Sequence, residues 1–589
     1  MAYTIDTATS ALAPHRGEPF QCFEMDFSKA QNITDAVIGE AVVLDEDLIG
    51  NEKLLYDWPA VYILDNGKQA YVGQTTSFAR RMGEHGKNPE KALFNRASLI
   101  SHPEFNQSVV TDYEHRLIGL MAADQKYELT NGNGGMTESD YYSRAEYEAM
   151  FDDLWEQLRQ MHLANHTIAE IQETEIFKYS PYKELNLDQK VALEKILLAV
   201  TSAMEGTEER AQPIVVDGKP GTGKTVLAIF LLKMLKDNFV DKDGRPTARI
   251  KLLEPMTSLR KTLQKTLKTV PGLKASDVIG PADIVSPKNG FTGDDHPNID
   301  ILLVDESHRL RRYKNIVARK SFKDVCAALG RSEWDTTQLD WILATCRLPI
   351  FFYDHRQSIG PADIPPQVVR QRLGASLANP ISLGRQMRVK GGDALLDYVE
   401  ALLRNESPEP REFPGYELCL HRTFGGFDRS FEEHLAKAEL TRMVAGYAWR
   451  WSSKKDRSLF DITIDGVDKR WNTTLDNWVG KGVGDDDEAR AVAHEMGCIH
   501  TIQGYDLSYA YVIVGEDLVF NSASGRIEAV QDNYYDANGQ TKDMAAEDLL
   551  TFIRDIYYVL LTRGIEGTHL YVCDPALREY LGRYMEVVD

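Results

Sequence analysis

Short apolar runs alternate with helix-like segments from Asn186 to the end of the chain. In the helix-like segments apolar residues recur every three or four positions, the spacing that places them on one face of a helix. Strands that alternate with helices along a chain are typical of parallel sheets. The predicted strands are residues 214–216, 250–253, 301–304, 350–353, 511–514 and 570–572.

A different pattern precedes this region. Two apolar runs, 60–64 and 70–72, flank Asp65-Asn66-Gly67, and Asn-Gly between such runs is a strong hairpin signal. Helical patterns follow, and they continue over residues 141–179. The predicted fold class is therefore α/β, with a small α/β domain before two parallel-sheet domains.

The same patterns predict the domain boundaries. One hydrophobic core seldom organises a chain of 589 residues, so several domains are expected. They are an N-terminal extension without a readable motif (1–55), the small α/β domain (56–135), a helical connector (136–185) and the two parallel-sheet domains (186–375 and 376–589).

The composition narrows the class of protein. Hydrophobic residues make up 43% of the chain, and no run approaches the roughly 18 apolar residues that a membrane helix needs. The first residues lack the basic start and apolar core of a secretory signal, and the six cysteines form no CxxC pair. We therefore expect a cytoplasmic protein without a membrane partner, a disulfide framework or a zinc site.

The net charge of −22 restricts how the chain could bind nucleic acid, because an acidic surface repels phosphate groups. Binding would need a local groove lined with basic side chains. One candidate is a basic run, for which a solvated helix face is an equally good interpretation. The run consists of Arg309, Arg311, Arg312, Lys314, Arg319, Lys320 and Lys323.

A glycine-rich motif follows the first predicted strand. The sequence Gly-Lys-Pro-Gly-Thr-Gly-Lys-Thr, which begins at Gly218, matches GxxxxGK(S/T) in full and precedes a helix start. Gly221 and Gly223 let the backbone curl so that its N–H groups face phosphates, and the helix N-terminus adds partial positive charge. Lys224 would reach the β- and γ-phosphates, and the Thr225 hydroxyl would bind Mg²⁺. The motif therefore predicts an ATP site.

Two acids end a later strand of this region. Four apolar residues lead into Asp305 and Glu306, about eighty residues after the glycine-rich motif. Asp305 would hold Mg²⁺, and Glu306 would orient and activate the attacking water. The pair completes the set of residues that ATP hydrolysis needs.

From about residue 179 to the C-terminus the chain resembles the superfamily 1 helicases, most closely the bacterial branch that shares its helicase module with the Schlafen proteins. The resemblance implies two RecA-like domains that bind ATP and Mg²⁺ in the cleft between them and move along DNA or RNA, with DNA favoured. It also implies roles for residues in several short motifs. These are Gln189 as adenine reader, Gln357 as γ-phosphate sensor, Arg388 and Arg563 as arginines on the γ-phosphate, and Gln503 with Gly504 in the motif that links nucleic acid to ATP.

The hairpin segment has a resemblance of its own. Val61-Tyr62-Ile63 and Tyr71-Val72-Gly73 resemble the paired motifs of the GIY-YIG nucleases, with valine in place of the first glycine. The resemblance implies that Glu114 binds Mg²⁺ or Mn²⁺ and that Arg81 stabilises the phosphate. Tyr71 or Tyr62 would help to deprotonate the nucleophile, with His85 as a possible aid. Asn131, or Asn133 as the alternate, would stabilise the module.

Together the two motif sets predict an ATP-dependent translocase or helicase joined to a metal-dependent endonuclease, in bacterial defence against phage by analogy. Several alternatives stay open. The first module could bind nucleic acid without cutting it, or the ATPase could be a nucleotide switch that gates a nuclease or a protein partner. DNA repair is the alternative setting, and self-association is a further possibility.

Overall fold

The fold is that of a computed structural model, which describes residues 20–31, 42–43, 53–131, 141–174, 177, 181, 185–270, 272–354, 360–384, 389–438, 440–456, 458–472, 478–484, 486–502, 507–536, 539–540 and 544–589. Contacts divide the chain into two compact units. The N-terminal unit is Met1–Glu184 with Leu263–Ala275, and the C-terminal unit is Leu185–Thr262 with Ser276–Asp589.

A mixed sheet forms the centre of the N-terminal unit. Its strands, within the described residues, are β1 (Gln21–Asp26), β2 (Val42–Val43), β3 (Ala60–Asp65), β4 (Gln69–Thr75), β5 (Arg96–Ser101) and β6 (Glu128–Leu129), in the order β2-β1-β5-β3-β4-β6. The predicted hairpin is confirmed, because β3 and β4 pair antiparallel with Tyr62 opposite Gly73. β1 pairs along the whole of β5, so the sheet includes part of the segment predicted as an extension.

Helices cover this sheet. They are α1 (Phe27–Ala30), α2 (Lys53–Tyr56), α3 (Phe78–His85), α4 (Gln107–Asp124), α5 (Arg144–Gln160) and α6 (Ile168–Glu173). The helices predicted as a connector pack against α4: the Tyr113 hydroxyl donates to the Tyr147 carbonyl at 2.6 Å, and Asp124 accepts from the backbone N–H of His166 at 2.8 Å. These contacts make α5 and α6 part of the N-terminal unit.

The first sheet of the C-terminal unit is parallel throughout. Its strands are β7 (Ile214–Gly218), β8 (Ile250–Leu253), β9 (Val278–Ile279), β10 (Ile299–Val304), β11 (Cys346–Tyr353) and β12 (Ile381–Leu383), in the order β12-β7-β11-β10-β8-β9. The helices of this part of the chain are α7 (Leu187–Glu205), α8 (Lys224–Asn238), α9 (Thr257–Leu267), α10 (Arg319–Ala328), α11 (Gln338–Thr345) and α12 (Pro366–Ala378), and α9 ends within the stretch grouped with the N-terminal unit. Because β12 pairs with β7, the sheet includes residues beyond the predicted boundary at 375.

The second sheet of the C-terminal unit is also parallel, in the order β14-β17-β20-β13-β21. The strands of this region are β13 (Glu417–His421), β14 (Thr441–Ala445), β15 (Ile462–Ile464), β16 (Val467–Lys469), β17 (Leu507–Val514), β18 (Leu518–Asn521), β19 (Arg526–Ala529), β20 (Gly564–Val572) and β21 (Glu586–Val588). The helices are α13 (Gly392–Leu403), α14 (Phe424–Leu435), α15 (Trp478–Lys481), α16 (Asp487–Ala493), α17 (Ile499–Ile502), α18 (Ala546–Leu561) and α19 (Pro575–Leu581).

The two parallel sheets and the small α/β sheet before them confirm the predicted fold class. Apolar side chains on both faces of each parallel sheet explain why its strands read as continuous apolar runs. In the part of the chain that the structure describes, no helix has the length and apolar character that crossing a membrane requires.

We expect the Asp65–Arg96 pair to stabilise the small sheet. Asp65 is fully buried and receives two hydrogen bonds from the Arg96 guanidinium, at 2.7 and 2.9 Å. Arg96→Ala would leave this carboxylate buried without its cation. Because Arg96 is 36% exposed, we expect a loss of about 2 kcal/mol, less than for a fully buried pair. Hydrogen exchange of β3 and β5 in the intact chain should accelerate by roughly thirtyfold.

Glu24→Gln is the matched control, since Glu24 contacts the same guanidinium at 3.3 Å from a more exposed position. Such a pair contributes less than about 1 kcal/mol, so exchange should change by under about fivefold. Equal effects of the two substitutions would contradict this role for Asp65.

Candidate active sites

The loop between β7 and α8 has the backbone form that phosphate binding requires. Gly221 and Gly223 have φ angles of 79° and 77°, in the left-handed region that favours glycine. A Cβ at Gly218 would lie 2.5 Å from the Thr222 hydroxyl oxygen, so this position also needs glycine. Helix α8 begins at Lys224, which brings its positive N-terminal end to the loop.

Lys224 is buried within this loop. Its Nζ donates to the carbonyl oxygens of Gly218 at 2.6 Å and Lys219 at 3.1 Å. A carboxylate oxygen of Asp354, which follows β11, lies 3.6 Å away. The ammonium group is therefore at the position where the motif predicts contact with phosphates, and loop carbonyls hold it there.

Three carboxylates converge at the ends of the neighbouring strands β10 and β8. Asp305 is fully buried and accepts a hydrogen bond from the backbone N–H of Glu306 at 2.9 Å. The Glu306 carboxylate lies 2.9 Å from Nε2 of His308. Glu254, which follows β8, is also fully buried and accepts from the N–H of Met256 at 2.6 Å. The carboxyl ends of parallel strands thus bring these acids together.

The pKa values of these three carboxyl groups shift in different directions. Burial, and then the charge of Glu306, raises the pKa of Asp305. Burial raises the pKa of Glu254 well above its usual value, with further contributions from Asp305 and Glu306. For Glu306, His308 and Lys224 outweigh the effect of burial and lower the pKa. Glu306 therefore carries the negative charge, as a base for water must.

The donor set fits Mg²⁺, which prefers oxygen ligands. Among the described residues, Oδ2 of Asp305 is buried without a hydrogen-bond partner. Thr225 interacts with the same carboxyl group and lowers its pKa. Thr225 and Asp305 therefore could hold the ion, as their positions in the motifs predict.

Gln189 connects the start of α7 to the glycine-rich loop. Its Oε1 accepts from the N–H of Asn186 at 2.9 Å, and its Nε2 donates to the Thr222 carbonyl at 3.0 Å. These contacts bring the predicted adenine reader to the loop that would bind the phosphates of the same nucleotide. Its role as reader stays a prediction.

Helices next to the second parallel sheet place charged side chains near the glycine-rich loop. Lys219 of the loop pairs with Asp397 at 2.8 Å and lies 3.5 Å from Asp393, both on α13. His500 lies on α17, and its pKa falls to about 4 through desolvation and then the charges of Arg309 and Arg311. The two parallel sheets are thus in contact through charged residues next to the ATP motifs.

Of the two arginines predicted to contact the γ-phosphate, Arg563 lies within the described residues. Arg563 is buried just before β20, and its carbonyl accepts from the N–H of Leu507 at 3.2 Å. Four others lie outside the described residues: Gln357, Arg388, Gln503 and Gly504.

The basic run that begins at Arg309 is not one surface. Arg309 is buried, with a guanidinium nitrogen 3.7 Å from Asp363. Helix α10 begins only at Arg319, so the residues before it are not part of a helix face. The run was predicted to form either a basic groove or a solvated helix face. Because Arg309 is buried, both predictions are wrong for this residue. Lys314, Arg319, Lys320 and Lys323 are exposed.

The N-terminal unit brings together the polar residues of the paired tyrosine motifs. The Tyr62 hydroxyl lies 2.7 Å from Nε2 of His85 and accepts a hydrogen bond from Nε of Arg81 at 3.3 Å. The Tyr71 ring meets the His85 ring edge-on, with centroids 5.5 Å apart. Lys91, which no motif singled out, places its Nζ 3.1 Å from the centre of the Tyr71 ring.

The pKa values show how enclosed this cluster is. Burial raises the pKa of Tyr62, with a smaller contribution from Tyr71. Burial and then Arg81 and Lys91 lower the pKa of His85 to about 4, so the ring is neutral at pH 7. Burial raises the pKa of Glu114, on α4, to about 7, although Arg81 opposes the shift. A cation near Glu114 would favour its ionised form.

Two residues hold this cluster in place. Asn131 is buried and bonds to β4 at both ends of its amide: Nδ2 donates to the Val72 carbonyl at 2.7 Å, and Oδ1 accepts from the Val72 N–H at 3.1 Å. This is the stabilising contact expected of it, whereas Asn133 lies outside the described residues. A Cβ at Gly73 would lie 2.3 Å from the Tyr62 hydroxyl, so this glycine makes room for the tyrosine.

A comparison with protein families decides the class of the C-terminal unit. The model of the Schlafen group 3 DNA/RNA helicase domain matches residues 211–574, more than half of the chain. The chain belongs to this helicase family. The matched span contains the glycine-rich loop, the Asp305-Glu306 pair and Arg563.

The chain also has more distant likenesses. The helicase is 26% identical over 318 residues to the uncharacterized protein YPL245W of Saccharomyces cerevisiae, a match covering 48% of this chain and 64% of that protein. The chain thus spans less than two-thirds of this relative. The Pif1 helicase of Candida albicans is 11% identical, with a TM-score of 0.26 and coverage of 69% and 97% of the two chains. A Bacteroides Pif1 helicase in complex with ADP-AlF3 and ssDNA is 11% identical, with a TM-score of 0.26 and coverage of 66% and 92%.

Sequence reasoning gave no catalytic role to several residues of these sites. Glu254 and Asp354 each follow a buried strand directly, so the strand-end signal that identified Asp305 would also have found them. His308 stands within the same motif as Glu306. Lys91 lies in a short turn (Pro89–Lys91) without any such signal, and only the structure reveals it.

We expect Gly73→Ala to open the tyrosine cluster, because its Cβ would displace the Tyr62 ring. His85 would then become more exposed, and its pKa should rise from about 4 towards the ordinary value of 6.5. NMR titration of ¹³C-labelled histidine in the full chain, assigned with a His85 variant, measures this shift.

Gly83→Ala is the control, since Gly83 lies on α3 and its new Cβ would meet its nearest neighbour at an ordinary 3.7 Å. The pKa of His85 should not change there. A His85 pKa in Gly73→Ala that stays at its original value would refute the role of Gly73.

Proposed function

We propose that this helicase is an ATP-driven motor that translocates along a nucleic-acid strand, and that its N-terminal unit cuts phosphodiester bonds. The observation that carries the motor is the grouping of buried Lys224 and Asp305 with the partly buried Glu306 inside a matched helicase domain. The observation that supports cutting is the convergence of Tyr62, His85 and Arg81 beside Glu114.

In the motor, the backbone N–H groups of the glycine-rich loop and Lys224 would bind the phosphates of ATP. Phosphate oxygens would replace the loop carbonyls that now accept hydrogen bonds from Lys224. Thr225 and Asp305 would hold Mg²⁺, which neutralises charge on the phosphates when bound. Glu306, kept ionised by its neighbours, would accept a proton from the attacking water.

Coupling between the two parallel sheets would turn hydrolysis into movement. Lys219 stands next to the phosphate position and is paired with α13, so a change in the loop reaches the second sheet directly. The charges of Arg309 and Arg311 also act on His500 of the second-sheet region. Arg388 and Arg563 would add positive charge to the transferring phosphoryl group, as the helicase resemblance implies.

In the N-terminal unit, Glu114 would hold Mg²⁺ or Mn²⁺, which polarises the scissile phosphate when bound. Arg81 would stabilise the negative charge that develops on that phosphate. His85 is neutral, and its Nε2 faces the Tyr62 hydroxyl, so it can take a proton passed through that hydroxyl from the attacking water. Tyr71 is the alternative route for this proton.

Substitution of the motor residues should separate ATP binding from hydrolysis. We expect Lys224→Ala to abolish nucleic-acid-stimulated ATPase activity by at least 100-fold and to weaken ATP binding, because it removes the buried cation. Glu306→Gln should reduce hydrolysis to a similar extent but retain ATP, because only the base is lost. Measurements of phosphate release and of fluorescent nucleotide binding distinguish the two.

Lys242→Ala is the control, since Lys242 is exposed beyond the end of α8. Its ATPase activity should equal that of the wild type. Full activity in Lys224→Ala would contradict the motor proposal.

The cutting proposal is tested by incubating the purified chain with Mg²⁺ or Mn²⁺ and single-stranded, duplex and branched DNA and RNA. We expect cleavage to fall at least 100-fold in Glu114→Gln and in Arg81→Ala, while ATPase activity persists. Glu128→Gln, an exposed acid of β6, serves as the control and should cut normally.

In a second candidate function, the N-terminal unit binds nucleic acid without cutting it. The raised pKa of Tyr62 favours it, because a buried phenol is a poor base. A wild-type chain that leaves every substrate intact but loses binding in Arg81→Ala would establish this alternative. In that case the motor tests would still stand.

A further inference from the structure

A group of histidines lies on the second parallel sheet, apart from the residues assigned to the motor. Glu417 and His421 stand on β13, His569 on the neighbouring β20, and His434 on α14. In this sheet His569 is directly opposite Cys419, which lies between Glu417 and His421. Parallel pairing therefore places the strand residues on one face of the sheet.

The distances within the group suit a metal ion. Oε2 of Glu417 lies 3.2 Å from Nε2 of His569 and 3.5 Å from Nε2 of His434. Ligand atoms of the three residues all lie within 4.8 Å of one another. In a tetrahedral zinc site with bonds of about 2.0–2.2 Å, neighbouring ligand atoms are about 3.4 Å apart. The two separations that involve Glu417 are already close to that value.

The second nitrogen of each candidate histidine ligand has a partner. Nδ1 of His434 lies 2.5 Å from the Tyr511 hydroxyl, and Nδ1 of His569 lies 3.0 Å from Nε2 of His421. The rings of His434 and His569 stack on Tyr509 and Tyr511, at 3.9 and 4.7 Å between centroids. Metal-binding histidines characteristically use the other ring nitrogen in such contacts, which fix the ring and its tautomer.

One side of the group is open to solvent. The carboxylate of Glu417 is 48% exposed, which leaves room for a water molecule beside the two buried or half-buried histidines.

We propose that Glu417, His434 and His569 bind one Zn²⁺ ion, with water in the fourth position. Two imidazoles and a carboxylate are a ligand set that zinc favours over Mg²⁺. The ion would join α14 to β13 and β20. The expectation of no zinc site, drawn from the absence of CxxC pairs, does not apply to this set because it uses no cysteine. Its outermost residues, Glu417 and His569, are 152 positions apart.

The test uses the full chain, stripped with a chelator and then titrated with Zn²⁺ alone in competition with a fluorescent zinc indicator. Glu417→Gln and His434→Ala remove one ligand each, and Tyr511→Phe removes the hydroxyl that contacts His434 and Ser430 but no ligand. His494→Ala is the matched control, since His494 forms an exposed pair with Glu432 at 3.0 Å. Glu114→Ala controls for binding in the N-terminal unit, and Co²⁺ spectra report the ligand geometry.

We expect one equivalent of Zn²⁺ in the wild type, His494→Ala and Glu114→Ala, and a tetrahedral Co²⁺ spectrum. Affinity should fall at least tenfold in Glu417→Gln and His434→Ala, and roughly 10- to 100-fold in Tyr511→Phe. Glu417 is half-exposed and Tyr511→Phe conserves the ring, so these two variants test the site even if His434→Ala misfolds. Zinc binding that is absent in the wild type, or unchanged in Glu417→Gln and Tyr511→Phe, would overturn the proposal and leave a hydrogen-bonded network only.

Discussion

The organisation of the motor depends on a cluster of buried carboxyl groups at one edge of the first parallel sheet. Asp305 and Glu254 are fully buried there, Glu306 stands beside them, and Lys224 is held near Asp354. Burial, and then repulsion from the neighbouring carboxylates, raises the pKa values of Asp305 and Glu254. Such a group gains stability when further positive charge arrives. The net charge of −22 therefore does not oppose nucleotide binding, because what matters is the local arrangement of Lys224 and of a bound divalent ion.

Parallel strands explain why this arrangement could largely be predicted from the sequence. In such a sheet every strand that leads into the site ends at the same edge, so residues that follow apolar runs meet in space. Asp305 was predicted in this way, and Gly221 and Gly223 have the left-handed backbone that their motif implies. The fold class followed from the same alternation of strands and helices.

Contacts between residues distant in sequence could not be predicted in this way. The pairing of β1 with β5 joins segments about seventy residues apart, and no local pattern in Gln21–Asp26 indicates it. Arg309 reads as part of a basic surface run, yet it is buried because the chain folds it towards Asp363. The place of Lys91 over the Tyr71 ring likewise depends on how the turn before β5 packs. Tertiary packing decides each of these cases, and it leaves little trace in composition or spacing.

The N-terminal unit also contains a buried acid with a raised pKa next to a basic residue. Burial raises the pKa of Glu114 to about 7, so near neutral pH this carboxyl group is only partly ionised until a cation stabilises its charge. Asp305 is in an equivalent position in the motor. In both units a basic residue, Arg81 or Lys224, lies close enough to lower the pKa of the acid without cancelling the effect of burial. Acids held in this intermediate condition respond strongly to a divalent ion, whereas an exposed acid would be ionised whether or not the ion were present. If both proposed activities use such an ion, burial is what makes each of them depend on it.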